Sequence, residues 1–249
     1  MRAAFLFFAA AAAALAAPAW SQGPAAVPAS PAQEFSAEAL ALARLAEPAG
    51  DSTAAAMASA KKAFLKLLEE DADSASLEEE YPGISEAVWA AMEPVMRESI
   101  EADTPELWER LARLYTQRLT PQEIAGLSRF HASPAGRKMA RTMQEKSDFT
   151  PIMEAAIASP EGEISAEAMV RAQAPGRAAA IRSITADDEG ALKQLSQSIS
   201  LPKLYALSAE VQRVTVEWMN EPDPALDARL EKVVEDRITR FMAEADTKK

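Results

Sequence analysis

Apolar residues recur through most of the chain at intervals of three, four and seven positions, with polar residues between them. This spacing places the apolar side chains on one side of an α-helix. Four stretches show it: Met57, Phe64 and Leu68; Ile84, Val88, Ala91 and Val95; Leu107, Leu111, Leu114 and Tyr115; Leu226, Leu230, Val233, Phe241 and Met242. The spacing predicts amphipathic helices that share an apolar interior.

Strand-like stretches are nearly absent. Alternating runs of Val, Ile, Thr and aromatic residues are rare, and only 8 of the 249 residues are Gly. We therefore predict an all-α fold, a multi-helix bundle of short amphipathic helices. The predicted helices span 36–46, 51–72, 84–101, 105–118, 121–132, 134–147, 151–158, 165–182, 185–197, 202–220 and 224–245.

A hydroxyl or Asp residue often stands directly before Pro where helical spacing begins. The first side chain can accept hydrogen bonds from free N–H groups, and Pro is pre-organised for the first helical position. Glu123 can complete a capping box with Thr120. Pro94 should kink or break the helix predicted over 84–101. Five pairs should each begin a helix: Thr104-Pro105, Thr120-Pro121, Ser133-Pro134, Thr150-Pro151 and Asp223-Pro224.

A shift of 65 residues aligns two parts of the chain without gaps. The aligned pairs include Thr120 and Thr185, Glu123 and Asp188, Leu127 and Leu192, Ser133 and Ser198, and Lys138 and Lys203. One interpretation is a duplicated helical hairpin, over 105–158 and 170–220, whose second copy has lost the counterparts of Pro134 and Gly136. The other is chance similarity in an Ala-rich helical chain.

The N-terminal residues have the pattern of a secretory signal peptide, assigned to residues 1–19. Arg2 precedes an uncharged run, residues 3–17, that is rich in Phe and Ala, and small residues follow. The run is shorter than the roughly 20 apolar residues that cross a bilayer. Cleavage is expected after Ala19 or Ser21, and no membrane span should remain.

Composition then divides the remaining chain. Pro, Ala, Ser and Gln dominate residues 20–34, which favours a flexible linker, and residues 35–249 should form the all-helical domain. The signal peptide predicts a periplasmic or secreted protein. Its partner is an unidentified envelope protein or ligand, and its oligomeric state is open.

The net charge and the scarcity of His and Cys argue against several functions. A net charge of -12 argues against nucleic acid as a partner, and the absence of Cys excludes disulfides. One His and no Cys argue against structural zinc. Acidic clusters at 69–73, 78–80 and 187–189 could bind calcium, but they lack the spacing of a calcium loop, so solvated helix ends are favoured. No Gly-rich phosphate loop follows a predicted strand, so the sequence gives no support for nucleotide binding. We predict no metal, no cofactor and no assigned catalytic residue.

The only histidine, His131, lies two residues before Ser133. One hypothesis makes them a general base and a nucleophile, but on a helix their side chains point in different directions and no third group orients them. The favoured interpretation places His131 on the flank of one helix and makes Ser133 the cap of the next.

The segment from Ser133 to Lys138 has two interpretations. Free N–H groups at a helix start, beside Arg137 and Lys138, could bind an anion or a partner. The favoured alternative is a tight corner between two helices, in which Gly136 permits close approach of the backbone. Trp89, Trp108 and Trp218 lie beside the apolar stripes and are assigned to the core or its edge rather than to a ligand site.

Residues 114–139 resemble a family of exported bacterial proteins, domain of unknown function 2059. The matching positions are Leu114-Tyr115, Leu119-Thr120, Glu123, Leu127, Phe130, Ser133-Pro134, Gly136 and Lys138, and Glu80–Ile84 is also similar. Many members carry Tyr where this chain has His131, so the resemblance argues against an essential histidine. It implies an all-helical exported protein and no particular activity.

Two functions follow. The favoured one is a non-enzymatic binding or interaction module in the cell envelope, with a filled core and a partner-facing surface patch. The alternative is an envelope-acting hydrolase that uses carboxylates brought together by the fold, such as Glu123. A hydrolase should show a concave pocket holding paired carboxylates with shifted pKa values.

Overall fold

The computed structural model describes residues 35–47, 51–159 and 162–247, which contain eleven α-helices and no β-strand. The helices are α1 Ala37–Ala46, α2 Asp51–Glu70, α3 Ala72–Glu80, α4 Ile84–Arg118, α5 Pro121–Ala132, α6 Pro134–Lys146, α7 Thr150–Ala158, α8 Ala166–Arg182, α9 Glu189–Ser198, α10 Leu201–Met219 and α11 Pro224–Asp246. The all-α prediction is confirmed. The predicted signal peptide and linker, residues 1–19 and 20–34, lie outside the described residues. Among the described helices, none is both long and apolar enough to cross a membrane.

Three of the five predicted hydroxyl-proline or Asp-Pro starts are confirmed by their caps. Thr120 and Glu123 form the capping box at the start of α5. Ser133 caps α6, and Asp223 caps α11 by accepting a hydrogen bond from the N–H of Leu226 at 3.1 Å. At α7 the cap differs, because Asp148 accepts from the N–H of Thr150, which is already helical.

The predicted helix start at Thr104-Pro105 is wrong, and so is a break at Pro94, because α4 runs through both prolines. Thr104 Oγ1 does not cap a helix but donates to the carbonyl of Ile100 at 2.6 Å. Both prolines are exposed, as are Ala90 and Glu101, the residues four positions earlier. The carbonyls that lose an N–H partner therefore face solvent, where water can replace it.

Helix α3 was not predicted from the apolar spacing. It has no buried residue, so it carries no apolar stripe. Its start is fixed by Asp71, which accepts a hydrogen bond from the N–H of Ser74 at 2.9 Å. The predicted helix over 51–72 corresponds to α2, and α3 is an additional helix that follows it.

Helix α4 passes through both main parts of the apolar core. Its first half packs with α2 and α11, and its second half packs with α1, α5 and α10. Trp89 and Trp218 are buried in these two clusters. Trp108 lies at the edge of the second, where its indole N–H donates to the carbonyl of Glu47 at 2.8 Å.

The two segments related by the 65-residue shift meet where α5 packs on α9. Thr185 and Asp188 form a second capping box, as Thr120 and Glu123 do in the first segment. The ion pairs cross between the segments: Lys138 pairs with Asp188, and Lys203 pairs with Glu123 at 2.6 Å. Origin of these segments by duplication stays a prediction.

Candidate functional site

The α5–α6 corner, residues 130–138, is closed by hydrogen bonds within the chain. Ser133 Oγ donates to the carbonyl of Phe130 at 2.6 Å and accepts from the N–H of Gly136 at 3.1 Å. A Cβ atom at Gly136 would overlap the carbonyl oxygen of Phe130. The corner therefore needs a residue without a side chain at this position.

The two cations of the corner also have partners within the protein. Arg137 Nη1 donates to the carbonyl of Ala132, and Lys138 Nζ donates to Asp188 Oδ2. The ion pair with Lys138 lowers the pKa of Asp188. Ser133, Gly136, Arg137 and Lys138 thus lie together at the start of α6, and the contacts of their polar groups are within the protein. Anion or partner binding there stays a prediction.

His131 and Ser133 do not form a base–nucleophile pair. The Ser133 hydroxyl hydrogen-bonds to Phe130 and Gly136, and among the described residues no hydrogen bond joins it to the imidazole. His131 instead lines a cavity that Ser133 does not reach. Enclosure by protein lowers the pKa of His131, which keeps the imidazole neutral at neutral pH.

That cavity has a volume of about 470 Å³ and lies among α5, α6, α8 and α10, with residues of α1 and α4 closing other sides. Most of the lining residues are apolar, including Leu127, Met143, Met169, Leu207 and Val211. The space opens to solvent, and three of its lining residues, Glu47, Arg177 and Ser208, are exposed. It is therefore a concave pocket between helices rather than a void inside the core.

Glu47 contributes the only carboxyl among the lining residues of the described cavity. Glu47 is itself an exposed residue at the C-terminal end of α1, so solvent reaches its side chain. Desolvation by the protein atoms around it raises the pKa of Glu47 from 4.5 to about 7. Burial, with a smaller effect from the Glu47 charge, also raises the pKa of Tyr115, another lining residue.

Arg177 contributes the only Arg or Lys side chain of the lining. Among the described residues, none forms a hydrogen bond or an ion pair with its guanidinium. Arg177 and Ser208 are exposed lining residues, and we call them the rim of the cavity. Next to them, Gln212 Nε2 donates to Gln173 Oε1 at 2.9 Å and joins α10 to α8.

Glu123, the carboxylate named for the hydrolase alternative, lies outside the cavity. It accepts two hydrogen bonds from Lys203, at 2.6 and 2.7 Å, and one from the N–H of Thr120 at 2.7 Å. The hydrogen bond from Lys203 is the main cause of its lowered pKa. In the described part of the chain, no group of three acidic or His side chains could hold a metal ion.

The sequence reasoning missed the cavity and two of its polar residues, Glu47 and Arg177. Neither residue belongs to a local motif, and each is one charge among many on helical segments. Two of the lining residues stand out in the sequence, but His131 is interpreted there as a helix-flank residue and Trp218 as a core residue.

Among the curated proteins and the solved structures, the comparison found no match to the chain. A family model does match part of it. Residues 105–159, which run from the second half of α4 through α7 and include the α5–α6 corner, match the family described as uncharacterized protein conserved in bacteria (DUF2059), so the resemblance found in the sequence is confirmed over this segment.

Proposed function

We propose that the protein is an exported, non-enzymatic binding protein that holds a small and largely apolar molecule in the cavity. Export rests on the signal-peptide pattern of residues 1–19. The binding role rests on the cavity of about 470 Å³, which falls within the roughly 300–1,000 Å³ range of small-molecule sites.

The lining favours binding over hydrolysis. Apolar side chains dominate it and a few polar groups converge on it, which is the usual composition of a ligand pocket. Glu47 has no second carboxylate facing it among the lining residues, so the paired carboxylates expected of the hydrolase are missing from this site. Glu123 is engaged by Lys203 and by the cap of α5.

A neutral fluorescent probe tests the proposal. Phenylnaphthylamine should bind the mature protein saturably with one site per chain. Ala140→Phe on α6 and Val211→Trp on α10 place bulk in the cavity and should each weaken binding about tenfold or more. Ala174→Phe, at an exposed position of α8 outside the lining, is the matched control and should bind as wild type does.

Circular dichroism establishes that each variant is folded before its binding is compared. No saturable binding by wild type would contradict the proposal, and so would unchanged binding by both folded cavity variants. Turnover of a cell-wall or lipid substrate that is lost in Glu47→Gln would favour the hydrolase instead.

A further inference from the structure

We propose that the molecule held in the cavity is a single-chain amphiphile with an anionic head group, whose apolar chain lies in the cavity and whose head group pairs with Arg177. This inference rests on the proposed function and adds the chemical class of the ligand.

Arg177 is placed as a recognition residue. It lies at the rim, and its guanidinium has no hydrogen-bond or ion-pair partner among the described residues. Two other cations, Lys138 and Lys203, instead have carboxylate partners on other helices, Asp188 and Glu123. A guanidinium beside apolar surface matches a carboxylate, sulfate or phosphate in charge and in hydrogen-bond geometry.

Neutral polar side chains lie near Arg177. Ser208 shares the rim, and the Gln173–Gln212 hydrogen bond lies about one helical turn away on both helices. The amide of Gln173 otherwise donates to Met169 Sδ at 3.4 Å. Because a thioether is a weak acceptor, a head group oxygen would replace it at small cost.

The approach to the rim is apolar. Helices α8 and α10 run antiparallel, since Met169 packs near Val216 while Gln173 meets Gln212. One turn beyond Arg177 and Ser208, the same antiparallel register brings Ile181 on α8 close to Tyr205 on α10. These side chains are 59% and 72% exposed. An exposed apolar flank next to a lone cation suits a ligand with a hydrocarbon chain and one charge.

The other charged residue of the cavity, Glu47, is consistent with an anionic rather than a cationic head group. Glu47 could attract a cationic head group only when it is ionised, and its raised pKa keeps much of it neutral at neutral pH. Arg177 carries a positive charge. The net charge of -12 opposes general attraction of anions, so recognition must come from this local contact.

Three amphiphiles of equal chain length, laurate, dodecanol and dodecylamine, test the head group by displacement of phenylnaphthylamine from the full mature chain. Wild type should bind laurate about tenfold or more tightly than dodecanol, and dodecylamine most weakly. Arg177→Gln should abolish the preference for laurate over dodecanol, and Arg177→Lys should restore part of it. Arg171→Gln, an exposed position on the same helix outside the lining, should leave the preference intact.

The outcomes separate the two proposals. If wild type does not bind phenylnaphthylamine, the cavity is not a ligand site and the proposed function fails. If it binds the probe but none of the three amphiphiles displaces it, the binding function stands and the head-group inference fails. If it binds all three equally, or if Arg177→Gln keeps the preference for laurate, the binding function stands and the head-group inference fails. Tightest binding of dodecylamine, or binding to phosphatidylglycerol vesicles without binding to monomeric laurate, would also overturn it.

Discussion

Helices α5 and α6 are packed closely at the α5–α6 corner, whereas their other side faces the cavity. At the α5–α6 corner, Ser133 satisfies two backbone groups and Gly136 lies against the carbonyl of Phe130 with no room for a side chain. On the cavity side, His131 and Met143 line a space of about 470 Å³. The conspicuous residues of the corner fix the angle between the two helices, whereas the residues on the other side line the cavity that we propose as the ligand site.

The largest expected effect is a loss of stability when Gly136 in the α5–α6 corner is substituted. Gly136→Ala should destabilise the protein by about 3 kcal/mol or more, because its Cβ must displace backbone rather than a movable side chain. Gly136→Leu should be at least as damaging. Urea unfolding followed by circular dichroism measures the change.

Gly190→Ala on α9 is the control for that experiment. No atom lies within 4 Å of the position its Cβ would take, so the variant should be neutral or up to about 1 kcal/mol more stable through helix propensity. Equal effects of the two glycine substitutions would show that the corner does not depend on close approach.

The second prediction concerns the cavity and has a definite pH dependence. Below pH 4.5 Glu47 is protonated in both states; between 4.5 and about 7 the unfolded chain loses this proton first, so rising pH weakens folding. Glu47→Gln removes this loss. After allowance for the accessible area of the side chain, the variant should be about 1–2 kcal/mol more stable than wild type above pH 7 and equal to it near pH 4.

Unfolding curves at several pH values check this. A constant difference between Glu47→Gln and wild type across the range would mean that desolvation does not raise the pKa of Glu47.

The carboxylate near the corner should show the opposite pH dependence. Hydrogen bonds from Lys203 and Thr120 lower the pKa of Glu123, so its stabilisation is present at neutral pH and is lost as pH falls through that lowered pKa. Glu123→Gln should cost about 1 kcal/mol at pH 7, the scale of a helix cap, and less at acid pH.

Thr120→Ala, which removes the other half of the capping box, is the control, because it should cost a similar amount with little pH dependence. A loss in Glu123→Gln that grows at acid pH would contradict the assignment.

The parts of the fold that could be predicted are those with local causes. Thr120 and Glu123 are three residues apart, so a capping box could be recognised from spacing alone. Thr104-Pro105 has the same local pattern, yet helix α4 continues because Thr104 packs in the core and bonds back to Ile100. Local patterns cannot decide between these outcomes when tertiary packing favours the continuous helix.

The site could not be predicted in the same way. The cavity is defined by the volume left between side chains of several helices, so no spacing in the sequence reports it. Glu47 and Arg177 are far apart in the chain and become notable only because both face that space. His131 stood out as the single histidine, but its chemical interest came from rarity rather than from position.

The smallest expected effect tests His131 at the boundary between the α5–α6 corner and the cavity. His131→Tyr should change the free energy of unfolding by less than about 0.5 kcal/mol, because the imidazole is neutral, forms no hydrogen bond with another described residue, and has open space beside it. The larger ring extends into that space, so affinity for phenylnaphthylamine should fall while stability is kept. A loss of stability as large as that of Gly136→Ala would place His131 in the corner rather than in the cavity, and unchanged probe affinity in a stable variant would place the probe elsewhere on the protein.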